Sequence, residues 1–350
     1  MKVSEVNRSN SQSIQSPQPA NDDGAQTIEV KMASVMENVS KAVLLFVSLY
    51  FLLAIPELRE IVRFMQDQQV VIYFNEYLWI IPGAIGCYLL NLLSTKVIIH
   101  WFEPFIKKDG YRVGETHEQR LVRLGNYIYG AIYYTISTVA LMYMTFGSKF
   151  SPVSFGGSLN TTNNIIPWPY DVSYGIRIFY MLTLGHHIER ALHELVHQFG
   201  SKTFYVMMLH HVLTIKLIFL SFFMRHLTFG IPVLLTHDVN DIFLNASRFL
   251  RETSYKQLTS FVFFWLMVSW LYTRIYTFLV EVIFGVIYQT MYDTGFMNRF
   301  LFSNIFYLPA LIALYILNVY WGFQILKIAF LRLIQGKEKL PFEDSKKKKQ

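Results

Sequence analysis

Residues 204–224 read FYVMMLHHVLTIKLIFLSFFM. The run is long enough to cross a bilayer, which takes about 20 mainly apolar residues. Yet it holds two adjacent histidines, His210 and His211, and the cation Lys216. An ionisable group at the bilayer centre costs roughly 2.5–3.5 kcal/mol even on lenient insertion scales, so such groups face an internal cavity or one another. The stretch therefore reads as a membrane helix with a buried polar side, and its partners must lie on other helices.

The rest of the chain agrees. Of its 350 residues 53% are hydrophobic and only 16% charged, whereas soluble domains are nearer one quarter charged. The expected fold is an all-α, polytopic integral membrane protein of about eight transmembrane helices, at 42–58, 77–100, 126–146, 173–197, 204–224, 228–247, 258–284 and 304–330. Residues 1–40 are polar and poor in apolar groups, the composition of a disordered tail, with no apolar run resembling a removable signal. The single cysteine, Cys87, rules out an internal disulfide.

Lys and Arg concentrate on one side of this arrangement, in residues such as Lys107, Lys108, Arg120, Arg123, Arg248 and Arg251 and in the carboxy-terminal tail. By the positive-inside rule both termini are cytosolic. The net charge of +7 then reflects membrane sidedness rather than nucleic-acid binding. Of the glycosylation sequons only Asn160 falls on the lumenal side. The terminal KKKKQ resembles a dilysine retrieval signal of the endoplasmic reticulum, the alternative being a basic cluster on anionic lipid.

Eight of the ten histidines lie between His186 and His237. On the fourth span His186, Arg190, His193 and His197 recur at helical spacing. On the sixth, His237, Asp238 and Asp241 share a face, and a polar chamber open to the cytosol would satisfy all these groups. HELVH at 193–197 spells a zinc-protease signature, His193 and His197 as ligands and Glu194 as base, with Asp238 or Asp241 as third ligand. Arg190 beside the metal opposes that reading. Histidine boxes of the H-x-x-H-H kind wanted by di-iron lipid hydroxylases do not occur. A seam of histidines that only stabilises helix packing is a further reading.

Acyl transfer is the chemistry these spans suit. An amine attacking a thioester must first be neutral, and histidine, titrating near ~6.5, is its natural base; alternatively an imidazole attacks the thioester and carries the acyl group. Asp238 and Asp241 can orient an imidazole and stabilise imidazolium. Arg190, His193, His197, Lys216 and His237 are candidate substrate-binding groups; Lys202, also considered for substrate phosphates, reads more simply as a snorkelling side chain.

HHVLT, followed after residues 215–236 by HDVNDIFLNASRF, resembles the paired-histidine and H-D-x-x-D-x-x-L blocks of the ceramide synthase (longevity-assurance) family of the TLC-domain superfamily. The resemblance covers roughly 120–333. It implies an endoplasmic reticulum enzyme moving a fatty acyl group from coenzyme A to the amino group of a sphingoid base. His210, His211, Asp238 and Asp241 are then the essential residues, acyl-CoA is a co-substrate, and no metal or other cofactor is needed. Acyl-length preference in the family is linked to the connection around 285–303. The implied organisation is a tail (1–40), two spans and a loop (41–118), a TLC domain (119–333) with a helical core around a polar chamber, and a basic tail (334–350).

Implied partners are membrane lipids and the two substrates; a homo- or hetero-oligomer or a small accessory subunit is left open. The sequence departs from the family at SKTF before the fifth span, at Asn245 and Arg248 in the aspartate block, and in lacking the usual Trp-Arg pair near the third span. A TLC-type protein that binds lipid or assists membrane assembly without catalysis is the alternative.

Overall fold

A computed structural model describes residues 73–112, 114–158, 170–199, 201, 203–292 and 294–335, with scattered positions between 34 and 62, and side chains outside 289–306 and 332–335. Asn160, Lys202, nearly all of the span at 42–58 and the carboxy-terminal tail lie outside the described residues, and much of the connection at 285–303 is described in backbone only.

Among the described residues seven long helices follow one another: α1 (Phe74–Phe105), α2 (His117–Thr145), α3 (Tyr174–His197), α4 (Phe204–Phe223), α5 (Leu227–Arg251), α6 (Lys256–Ser269, continued by the π-helical Trp270–Ile283 and by Phe284–Tyr292) and α7 (Thr294–Gln335). No strand occurs among the described residues beyond one isolated bridge, Ile106 to Thr253. Among the described residues four segments are long and apolar enough to cross a membrane: Phe74–Phe105, Phe204–Phe223, Lys256–Tyr288 and Tyr307–Leu331. The more polar α3 and α5 follow the expected boundaries within four residues, whereas α2 begins nine residues earlier, at His117; Ser137 of α2, His186 and His187 of α3 and Asp238 of α5 are buried.

Local signals set the ends. Thr116 caps α2 by accepting from the Gln119 amide (3.2 Å) while Gln119 Oε1 accepts from the Thr116 amide (3.0 Å), the reciprocal capping box. Close approach of α1 and α3 needs two glycines. A Cβ on Gly83 would stand 2.5 Å from the Leu182 carbonyl oxygen, and one on Gly185 would strike the backbone of Ile80 and Ala84. That contact seats His186 and His187, the next two residues, deep in the bundle.

Ion pairs secure both ends of the helices. Near one end Arg177 binds Glu76 (3.0 Å) and Asp171 (3.1 Å), and Arg225 reaches the same Asp171 (2.7 Å). Near the other, Glu252 at the α5–α6 corner accepts from Arg120 (3.1 Å) and Arg123 (3.1 Å), and Arg123 also grips Glu115 at 2.7 and 2.9 Å. Basic residues that the sequence suggests as loop charges are thus partly internal.

Glu252→Ala strands the buried Arg120, so a loss of about 3–5 kcal/mol is expected, read as a lower thermal transition in detergent; an unchanged transition refutes the role. Burial alone would raise the Glu115 carboxyl, but hydrogen bonds from Arg123 and the Arg112 amide hold it below its ordinary value. Its contribution is therefore complete above that ordinary value and fades as pH falls through the lowered one.

Candidate active site

The corner Met224–His226 between α4 and α5 places Arg225 in left-handed backbone, φ 58°, and closes when the His226 amide donates to the Ser221 carbonyl (2.7 Å). The chain then returns beside its own path. His210 and His211 lie 15 and 14 residues before Arg225, Asp238 and Asp241 13 and 16 after it. At 1.5 Å per residue both sets stand about 20 Å from the corner. All four line one pocket with His187 and His237.

Each group is held differently. His210 and His211 have ring centroids 5.6 Å apart, and His210 meets Trp321 of α7 edge-on at 5.3 Å. The Nδ1 atoms of both are buried without a hydrogen-bond partner, as are His187 Nε2 and Thr214 Oγ1. Buried polar groups in folded proteins nearly always have partners, so a cluster of open positions around a cavity marks where a ligand or water belongs. Asp238, buried, accepts from Ser137 Oγ of α2 at 2.6 Å. Asp241 pairs with Arg274 of α6 at 2.7 Å.

Arg274 also donates to the His237 carbonyl (2.9 Å) and lies over the Trp270 ring at 4.3 Å. His237 is itself saturated: Nδ1–H donates to the Val233 carbonyl (2.7 Å), leaving Nε2 to accept from Asn318 Nδ2 (3.1 Å). It therefore supports the pocket wall and has no ring nitrogen left for substrate. Asn240, whose Nδ2 contacts Thr273 Oγ1, joins α5 to α6 at the same level.

Other candidates from the sequence lie elsewhere. Lys216 is buried but does not line this pocket; five residues beyond His211 it points about 140° away at 100° per residue. The stripe on α3 does not line it either. His186 is enclosed by aromatics, with Nδ1 bonded to Tyr129 Oη at 2.9 Å and the ring stacked on Tyr133. Arg190 forms a two-point pair with Glu189 (2.5 Å each) and lies over the Tyr129 ring at 4.6 Å. His193 and His197, rings 4.5 Å apart near the end of α3, are half-buried and exposed.

Among the described residues no third His, Cys, Asp or Glu joins His193 and His197 in a metal-holding group. Among those residues HELVH thus has the helical spacing of the zinc signature without a third ligand. His193→Ala and His197→Ala are expected to keep turnover within about threefold of the parent, since neither ring meets the pocket; a hundredfold loss in either returns HELVH to the site.

Sequence reasoning overlooked His187, Ser137 and Arg274. His187 was legible, as the second half of a doublet like His210–His211. Ser137 and Arg274 had no linear signal, being an ordinary serine and a lone arginine 101 residues before Asp238 and 33 after Asp241.

The family model TRAM_LAG1_CLN8, the TLC domain, matches residues 123–327. The chain is 27% identical over 176 residues to ceramide synthase 4 of Mus musculus, covering 50% of this chain and 41% of that protein. It is 30% identical over 152 residues to ceramide synthase hyl-1 of Caenorhabditis elegans, covering 41% of each. With ceramide synthase LAG1 of Saccharomyces cerevisiae identity is 28% over 153 residues, 41% of this chain and 36% of the relative. The match thus spans about two fifths of each of these relatives.

Proposed function

We propose, on the premise that this chain belongs to the TLC-domain family and within it is related to the ceramide synthases, that it transfers a fatty acyl group from acyl-CoA to the amino group of a sphingoid base, yielding ceramide or dihydroceramide. The observation that carries this reading is the pair His210 and His211, open at Nδ1, facing the same buried pocket as Asp238 and Asp241. In the reaction a C–N bond forms at the thioester carbonyl carbon, the C–S bond breaks, and the thiolate leaves without needing an acid.

The proton lost by the attacking amine passes to an imidazole, as general base catalysis requires. If one imidazole first takes the acyl group, the other serves as base in the second step. Asp238 and Asp241 stabilise the imidazolium that forms, while the walls exclude the water that would otherwise hydrolyse an activated acyl group. Neither step needs a resident metal or other cofactor.

In this reading the protein has eight spans around a polar chamber, sits in the endoplasmic reticulum membrane with both termini in the cytosol, and receives acyl-CoA from that side. Its partners are membrane lipids and the two substrates. Incubating the purified full chain with a sphingoid base and acyl-CoAs of graded length tests it: N-acylated base is expected. No product at any length sinks the reading, and sphingolipid binding retained without turnover favours the lipid-binding or assembly role.

A further inference from the structure

The pocket has two polar ends. Opposite the histidines, near the α4–α5 corner, Tyr180, Ser221, His226 and Tyr307 line its far end, with Phe229 and Gly230 between them. Ser221 Oγ donates to the Ile218 carbonyl (3.0 Å) and so accepts from the Tyr180 hydroxyl (2.5 Å), which keeps acceptor capacity of its own. Gly230 makes room for this pair: a Cβ there would strike the Tyr180 hydroxyl and stand 2.7 Å from Ser221 Oγ. Tyr307 is 5% exposed, and its hydroxyl is buried with no hydrogen-bond partner. The middle of the pocket is hydrocarbon, from Leu217, Ile218, Val233, Leu234, Leu311 and Leu314.

A purely apolar chain would leave the Tyr307 hydroxyl desolvated and unpaired, which is unfavourable. A chain with a hydroxyl at the right distance would satisfy it. That distance can be read from α4: Ser221 lies ten residues beyond His211, about 15 Å along the helix, or roughly 12 carbons of an extended chain at ~1.25 Å each. On α5, Gly230 and Asp241 are eleven residues apart, giving about 16 Å.

The geometry points to the Tyr180–Ser221–Tyr307 end as a recognition subsite for a hydroxyl carried about 12 carbons from the reacting end of the lipid chain in the pocket. The inference rests on the acyl-transfer reading for which end of the chain reacts. The subsite itself rests on the buried hydroxyls.

The test offers the purified full chain an equal mixture of 12-hydroxydodecanoyl-CoA and dodecanoyl-CoA with a sphingoid base, and measures the ratio of the two N-acyl products. A ratio near tenfold in favour of the hydroxylated chain is expected, falling to about one in Tyr307→Phe. A parent ratio of one or less, the result if only water occupies the far end, overturns the subsite. So does a preference that survives Tyr307→Phe. Should that variant not fold, Ser221→Ala is read on the same ratio. If no acyl-CoA is turned over, the acyl-transfer reading fails by itself, and competition binding of 12-hydroxydodecanoic against dodecanoic acid then decides the subsite on the same tenfold scale.

Discussion

On the proposed acyl-transfer reading, His211→Ala is expected to lower N-acyl transfer about a thousandfold while leaving the helical fold intact. The size follows from general base or nucleophilic chemistry, where loss of a positioned imidazole removes about 10²–10⁴ of rate. The intact fold follows from the structure: His211 Nδ1 is buried without a partner, so removing the ring strands no second group. His210→Ala should fall as far, and the double variant little further if the two rings act as a unit. The check is initial rate at saturating acyl-CoA beside a thermal transition in the same detergent. A rate above one tenth of the parent in His211→Ala, with the protein folded, removes the histidine pair from the chemistry.

Arg274→Ala is expected to affect both stability and rate. Its guanidinium neutralises Asp241 at 2.7 Å, ties down the His237 carbonyl at 2.9 Å and is itself deeply buried. Removal leaves a carboxylate uncompensated in hydrocarbon, a change that typically costs about 3–5 kcal/mol. Asp241 would then relieve its burial by taking up a proton or swinging away, and turnover should fall at least a hundredfold. Arg274→Lys separates charge from geometry. An ammonium restores the pairing but lacks the fork that spans both acceptors, so it should recover stability more fully than rate. Parental turnover in Arg274→Ala would show that Asp241 needs no partner to work.

Much of the architecture could be read along the chain. The apolar runs and polar breaks from 77 onward each fall on one of the helices α1 to α7, because burial pattern is a local property of the sequence, but α2 starts nine residues earlier, α6 ends eight later and α7 starts ten earlier than the apolar runs indicate. His210, His211, Asp238 and Asp241 stand out in the sequence through the blocks HHVLT and HDVNDIFL, and because the two pairs flank one corner at about equal distances, a simple helical hairpin brings them to one pocket. The stripe on α3 shows where that logic stops. His186, Arg190, His193 and His197 share helical spacing, yet the first is enclosed by tyrosines, the second is neutralised by Glu189 and the last pair lies toward the open end of the helix. Periodicity says which side chains point the same way, not what they meet.

By itself, then, the sequence determined that this is a helical membrane protein with ionisable groups inside its bundle, and it singled out the histidine doublet and the two aspartates. Only the tertiary structure decided that Ser137 holds Asp238, that Arg274 holds Asp241, that His187 faces the pocket while its neighbour His186 does not, and that hydroxyls close the pocket's far end. The physical reason is range. Helix formation and membrane burial depend on neighbours within a few residues. The partner of a buried charge depends on how helices cross, and that is set by contacts such as Gly185 against Ile80 and Ala84, about 100 residues apart in the chain.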